Sequence, residues 1–242
     1  MGDGIWAATS GAIAELATLE TAANNVANVA TTAYKADRTV FKEYLARTSQ
    51  ARKTVRLVSV DATRTDASEG SISPTGRPLD VAIHGRGYFA VKGREGTLYT
   101  RHGGIQFAPD GSLVTQTKEP FLDRQGIALR APVNARTVEI GKDGSVLADG
   151  AKIGELAVYA FDDPASLSRQ SSQLMRATPA AGPPRAVTAD LETQALEQSN
   201  FSAVRGMVDI VGATRAFEAC EKAINAFRDA DSRAAMTLMR VT

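Results

Sequence analysis

Towards the C-terminus, apolar or small residues recur at alternating steps of three and four: Ile210, Ala213, Phe217, Cys220, Ile224, Phe227, Ala234, Leu238 and Val241, with Asp231 the single charge in the series. Between them stand Arg215, Glu218, Glu221, Lys222, Arg228, Asp229 and Arg233. That spacing predicts a helix with one apolar seam and a solvated remainder. No Pro follows Pro184, and Gly206 and Gly212 are the weak points, so the helix is expected within Leu191–Thr242. A helix of roughly 40 to 50 residues is about 60 to 75 Å long, well beyond an ordinary globular helix. Its seam must meet another long helix, from this chain or from a neighbour. Asp231 is expected to face a polar neighbour or water, not a dry core.

The N-terminus repeats the pattern. Ile5, Thr9, Ala12, Leu16, Leu19, Ala23, Val26 and Ala30 alternate steps of four and three, in an alanine-rich context that favours helix. Asn24, Asn25 and Asn28, then Thr31 and Thr32, compete for backbone hydrogen bonds. They place the helix end near Asn28, with an extended or turn segment through Tyr34. From Lys35 to Glu69 the pattern is mixed. Phe41, Tyr44 and Leu45 fit one helical face, and Val55, Leu57 and Ser59 suggest a short strand. Arg47, Arg52, Lys53 and Arg56 form a basic stretch read as a solvated face, with a salt-sensitive contact to an acidic neighbour as the alternative.

From Gly70 to Asp163 the period changes to two. Short apolar runs such as Val81–Ile83, Tyr88–Val91, Leu98–Arg101 and Val146–Ala148 are separated by turn signals, among them Asp110-Gly111, Asp143-Gly144 and Asp149-Gly150. Asp-Gly between alternating runs is a hairpin signal because both turn residues take positive φ. Residues 171–189, with Pro179, Gly182, Pro183 and Pro184, read as an extended linker. The fold class is α+β: long, coiled-coil-type terminal helices flank an all-β, mainly antiparallel module. The expected division is 1–34 with 190–242 as a terminal-helix domain, 35–69 as a connecting segment, and 70–189 as the β module with its linker.

Composition removes options more than it adds them. The 242 residues carry 28 basic and 27 acidic side chains, so net charge points to neither nucleic acid nor an anionic membrane. No apolar run approaches the ~18 to 20 residues that cross a bilayer, and no secretory signal pattern is present. The lone Cys220 excludes an intrachain disulfide and reads as a small seam residue. Gly85-Arg86-Gly87-Tyr88-Phe89-Ala90 has the spacing of a dinucleotide fingerprint, but β-forming residues follow it where a helix is required. His84 and His102 lack metal-ligand neighbours at a useful spacing. Asp110, Asp143 and Asp149 are explained by turns, and the sequon Asn200-Phe201-Ser202 by a helix cap. No catalytic constellation, cofactor site or metal site is expected.

One resemblance spans nearly the whole chain. Ala23-Asn24-Asn25-Val26-Ala27-Asn28 followed by Thr31-Thr32-Ala33-Tyr34-Lys35 resembles the N-terminal signature of the bacterial flagellar rod and hook family. The usual Gly of that signature is Ala33, which argues against a positive-φ backbone there. The likeness continues through Ser73–Phe89, Tyr99-Thr100-Arg101-His102-Gly103, Gly111–Thr115, Leu196-Glu197-Gln198-Ser199-Asn200 and Arg215-Ala216-Phe217-Glu218. Lys35–Leu45 is most similar to the proximal-rod members, with the distal-rod members as the alternative. The resemblance implies a structural, non-enzymatic subunit, exported without a cleaved signal peptide by the flagellar export apparatus. It implies helical assembly with other rod proteins and copies of itself in the periplasm-spanning basal body, without membrane insertion, nucleic acid or cofactor. With the two seams, it implies an assembly interface at Ile5, Ala12, Leu16, Leu19, Asn24, Asn25, Asn28, Tyr34, Leu196, Asn200, Ile210, Phe217, Ile224, Phe227 and Leu238.

Overall fold

The structure is a computed structural model that describes residues 2–47, 54–132, 135–188 and 190–241. The chain divides into two compact units. One comprises Met1–Ala27, Asp37–Arg64 and Ser202–Thr242, and the other Asn28–Ala36 and Thr65–Phe201.

In the first unit, helix α1 (Gly2–Ala27) packs against helix α2 (Ala203–Val241) and against strand β1 (Asp37–Arg47), which pairs with strand β2 (Thr54–Thr65). The two helices run antiparallel. A β-carbon at Gly4 would stand 2.5 Å from the ring of Phe227, while one at Gly11 would stand 3.3 Å from Cys220 Sγ. One heptad forward in α1 thus matches one heptad back in α2, and the next two steps along α2, Ala213 and Gly206, are also buried. Helix α2 starts at Ala203, not at Leu191 as its lack of proline suggested. Residues Leu191–Thr193 and Ala195–Glu197 are strands of the other unit. The helical face expected of Phe41, Tyr44 and Leu45 is likewise replaced by β1. Its side chains alternate across a pleat, and Thr39 and the Asp37 backbone bond to α1 through Thr21 and Asn25. Of the basic stretch Arg47–Arg56, residues 48–53 lie outside the described residues.

The second unit is the antiparallel β region. Strands β3 (Ile72–Pro74) and β4 (Val81–Ile83) pair with Ala195–Glu197 and Leu191–Thr193 respectively. Strands β5 (Tyr88–Gly93) and β6 (Gly96–Thr100) form the centre of a six-stranded sheet. Alternation along β5 supplies two cores. Phe89 and Val91 join Ile83, Phe121 and Leu113 on one face, while Tyr88 and Ala90 join Tyr99 and Phe161 on the other. Phe89 meets Phe121, and Tyr99 meets Phe161, edge to face at 5.9 and 4.8 Å. Asp149 and Gly150 close the hairpin between Ser145–Ala148 and Ala151–Glu155 with φ of 49° and 80°, as a two-residue primed turn requires. Gly85, at φ 72°, sits in the turn from β4 to β5, so the glycine-rich motif opens a strand. The expected linker 171–189 contributes the strand Met175–Arg176 and the edge strand Arg185–Ala186 to the six-stranded sheet.

Candidate assembly interface

The α2 seam is the least exposed face of that helix. Ala213 is buried, and Ile210, Phe217, Cys220 and Ile224 are half-buried, with Asp231 and Ala234 continuing the half-buried line. Phe227 is 37% exposed even with Gly4 beneath its ring. The side chain of Leu238 lies outside the described residues. On α1 the burial is displaced from the expected stripe. Ala12 is buried, and Ile5, Leu19 and Val26 are half-buried, but Leu16 and Ala23 are exposed. The glycines at 4 and 11, which carry no apolar signal, take the position under α2. A flank of α1 turns to the hairpin, where Ser10 Oγ accepts from the Val58 N–H and Thr21 bonds to Thr39.

Apolar side chains are therefore left on the outside of both helices. Trp6 and Ile13 are 67% and 61% exposed on α1, and Val204 and Val208 are 74% and 66% exposed on α2, with Met207 and Val211 beside them. Lone exposed apolar residues are ordinary, but runs of them along one helix mark a contact surface.

The asparagines divide by role. Asn25 is buried, its Nδ2 donating to the Asp37 carbonyl and its Oδ1 accepting from the Asp37 N–H, so one side chain imitates a strand partner. Asn28 Oδ1 accepts from Thr31 Oγ1, while Asn24 is exposed. Asn200 works inside the β unit: Oδ1 accepts from the Ala36 N–H, and Nδ2 donates to the carbonyls of Asp66 and Ser68. Tyr34 and Leu196 are buried there too, with the Arg169 guanidinium 4.7 Å above the Tyr34 ring.

Beneath them lies a buried charge cluster absent from the expected interface. Glu197 Oε1 accepts from Lys35 Nζ at 2.5 Å and from the Gly70 N–H at 2.8 Å; its Oε2 accepts from Arg101 Nε at 2.7 Å. The rest of the Arg101 guanidinium donates to the carbonyls of Gly85, Gly87 and Ile83, and Lys35 Nζ donates to Ser68. All three charged side chains are at most 4% exposed. Burial pushes the Glu197 carboxyl up, but Arg101 and Lys35 outweigh it and hold it below the usual range. With two cations and a backbone N–H saturating one carboxylate, the cluster fastens three separate segments of the unit. Burial also pushes the Tyr88 phenol up to about 12.

A second tie lies alongside. Thr32 Oγ1 and His102 Nδ1 are 2.9 Å apart, and Gln173 Nε2 donates to the Thr32 carbonyl. Asp80 stands opposite Gly104 across a β-bridge, and a β-carbon on Gly104 would meet His102 Nε2 at 2.6 Å. The imidazole thus fills the space that the glycine leaves. Burial holds the His102 pKa below its usual value, with Asp80 pulling the other way. Ala33, the residue expected to resist it, sits at φ 58° and donates its N–H to the Glu197 carbonyl. Among the described residues no group of three or more His, Cys, Asp or Glu is placed to hold a metal, and no helix is long and apolar enough to cross a membrane.

Three family models match. Residues 5–35 match the flagella basal body rod protein model, 82–148 the D1 domain of the flagellar hook protein FlgE/F/G, and 192–238 the C-terminal region of the flagellar basal body rod FlgEFG protein. The chain is 31% identical over 212 residues to the flagellar basal-body rod protein FlgF of Caulobacter vibrioides, covering 84% of each. It is 31% identical over 245 residues to FlgG of Agrobacterium fabrum, covering 90% of this chain and 92% of that one, and 31% identical to FlgG of Bacillus subtilis over 85% and 88%. The chain belongs to the flagellar basal-body rod protein family. In this rod protein each matched region supplies one member of the buried cluster: Lys35 from the first, Arg101 from the second and Glu197 from the third. The residues that carried the resemblance therefore meet in space. Sequence reasoning missed the cluster as a site, although a charge within an apolar β pattern, as in Ala195-Leu196-Glu197, is its signal.

Proposed function

We propose that this chain is a structural subunit of the flagellar basal-body rod, of the proximal-rod FlgF type, and that it catalyses nothing. The terminal helices pack as a coiled-coil seam and meet neighbouring subunits through their outer faces, while the β unit supplies a stiff body. Each subunit presents different surfaces to its neighbours, the geometry that gives an open helical filament instead of a closed ring. Ile5, Leu19, Ile210, Phe217, Ile224 and Phe227, the series to which Leu238 belongs, hold the pair together at its seam, and the assembly surface runs over Leu16 and Asn24. Trp6, Ile13, Val204 and Val208 extend it. Ala12, Asn25, Asn28, Tyr34, Leu196 and Asn200 shape the subunit that carries that surface. Its partners are other rod proteins and further copies of itself, and it reaches them through the flagellar export apparatus without a cleaved signal peptide. Stiffness across the periplasm then transmits torque.

The observation that carries this reading is the exposed apolar run along both helices of a pair whose inner seam is already filled by its own glycines and aromatics. The Lys35–Leu45 segment favours the FlgF type. A distal-rod, FlgG-type subunit is the alternative, since relatives of both names match at the same identity. Locating a tagged copy on isolated basal bodies decides between them. A tag at the proximal end supports the FlgF type, one at the distal end supports the FlgG type, and absence from the rod overturns the proposal.

A further inference from the structure

On the β unit, away from the buried cluster, a surface cleft of about 520 Å³ opens between the β5–β6 turn, the turn at residues 115–119 and the strand Met175–Arg176. This volume falls within the ~300 to 1,000 Å³ typical of ligand pockets. Four cations line it: Lys92 on β5, Arg94 in the β5–β6 turn, Lys118 in the second turn and Arg176 on the strand Met175–Arg176. Two carboxylates line it as well, and both are already engaged. Glu95 Oε2 accepts from both terminal nitrogens of Arg176 at 3.1 Å. Glu119 Oε2 accepts the hydroxyls of Thr115 and Thr117. Burial pushes the Glu119 carboxyl up, but those hydroxyls, with Arg94 nearby, outweigh it and keep the group ionised. Among the described residues, Lys92 and Lys118 make no side-chain hydrogen bond or ion pair, and Arg94 only its field on Glu119. The cleft thus holds a surplus of two positive charges with lysines free to bind.

We propose that this cleft binds an acidic peptide segment of a partner protein, with Lys92 and Lys118 taking its carboxylates. The cations come from separate elements, so they suit carboxylates spaced along an extended chain. A single phosphate is better served by donors converging from one turn. Leu98 and the Gln170 carboxamide line the same cleft, giving an apolar patch and a neutral donor–acceptor that a peptide uses and a bare anion does not. The inference stands on the cleft itself and does not depend on the rod assignment.

The test is a titration of the isotope-labelled full chain with a hexaglutamate peptide at low salt, followed by amide chemical shifts. Binding is expected, with the shifts centred on residues 92–98 and 117–119. Lys92→Gln and Lys118→Gln should each weaken it about tenfold, the size of one charge-assisted contact. Lys142→Gln, at an exposed lysine outside the cleft, should leave it unchanged. Three results would each overturn the proposal: no binding, equal weakening by Lys142→Gln, or binding of a galacturonate oligomer or inorganic phosphate in preference to the peptide. The first removes the site, the second reduces it to diffuse charge, and the third assigns the cleft to a glycan or to phosphate.

Discussion

Gly11 lies against Cys220 so closely that a β-carbon there would stand 3.3 Å from the sulfur. A cysteine at position 11 therefore brings two thiols within bridging reach. Oxidised Gly11→Cys protein should give a fast-migrating intrachain species on a non-reducing gel, whereas Gly4→Cys, one heptad away, should not. Bridging by both variants would mean that the two helices slide past each other.

Glu197 serves three donors, while Lys35 is one of two cations. Glu197→Gln leaves Lys35 and Arg101 with only the more distant, exposed Glu69 as counter-charge and should cost about 3 to 5 kcal/mol. Lys35→Gln keeps the Arg101–Glu197 pair and should cost less, about 1 to 3 kcal/mol. Urea unfolding of both variants, read by tryptophan-independent circular dichroism, checks the order; equal costs would contradict the central role of the carboxylate.

His102 titrates lower when folded than when unfolded because burial disfavours its charge. The unfolded chain takes up the proton first, so this contribution to stability is complete above about pH 6.5. It falls as pH drops from there towards the folded value, by at most about 1.4 kcal/mol per pH unit. His102→Leu should be less stable at pH 7.5, having lost the Thr32 bond, yet should lack that slope between pH 7.5 and 5.5. Glu197 adds its own loss only at lower pH, as the pH falls through its depressed value.

Ala33 holds a left-handed backbone that costs an L-residue roughly 1 to 2 kcal/mol. Ala33→Gly relieves that strain but makes the unfolded chain more flexible by about 0.4 to 1 kcal/mol. The net expectation is a gain of about 0.5 to 1 kcal/mol in thermal or urea stability. A loss would show that the buried alanine methyl matters more than its φ.

Ile13→Asp and Val208→Asp alter residues that are largely exposed in the subunit. Each should leave subunit stability within about 0.5 kcal/mol, yet both should block incorporation into basal bodies. Normal incorporation would mean that these faces are not used.

The two terminal helices were legible because their period persists over many turns, and Asp149-Gly150 because both residues suit a primed turn. Hairpin β1–β2 was obscured by Phe41, Tyr44 and Leu45, whose spacing also satisfies one helical face. Leu191 to Glu197 lacked proline and so looked helical, but its partners β4 and β3 lie over a hundred residues earlier. Ala33 was misjudged because its local cost is met from afar, through the Glu197 carbonyl. The buried cluster was missed for a related reason. Glu197 stands out in its apolar strand, but Lys35 and Arg101 read as ordinary surface charges until the fold brings the three together.

That arrangement makes the β unit dependent on the end of its own sequence. Lys35 and Arg101 are synthesised early, and their buried counter-charge arrives with Glu197, on the strand that also completes the pairing with β3. Until then the preceding segments would have to bury two cations with only the exposed Glu69 near them, which is costly. Closing such distant contacts is slow, so a chain truncated before Leu191 is expected to lack the partners of β3 and β4. Completion of the β body is thereby tied to the segment that leads into α2.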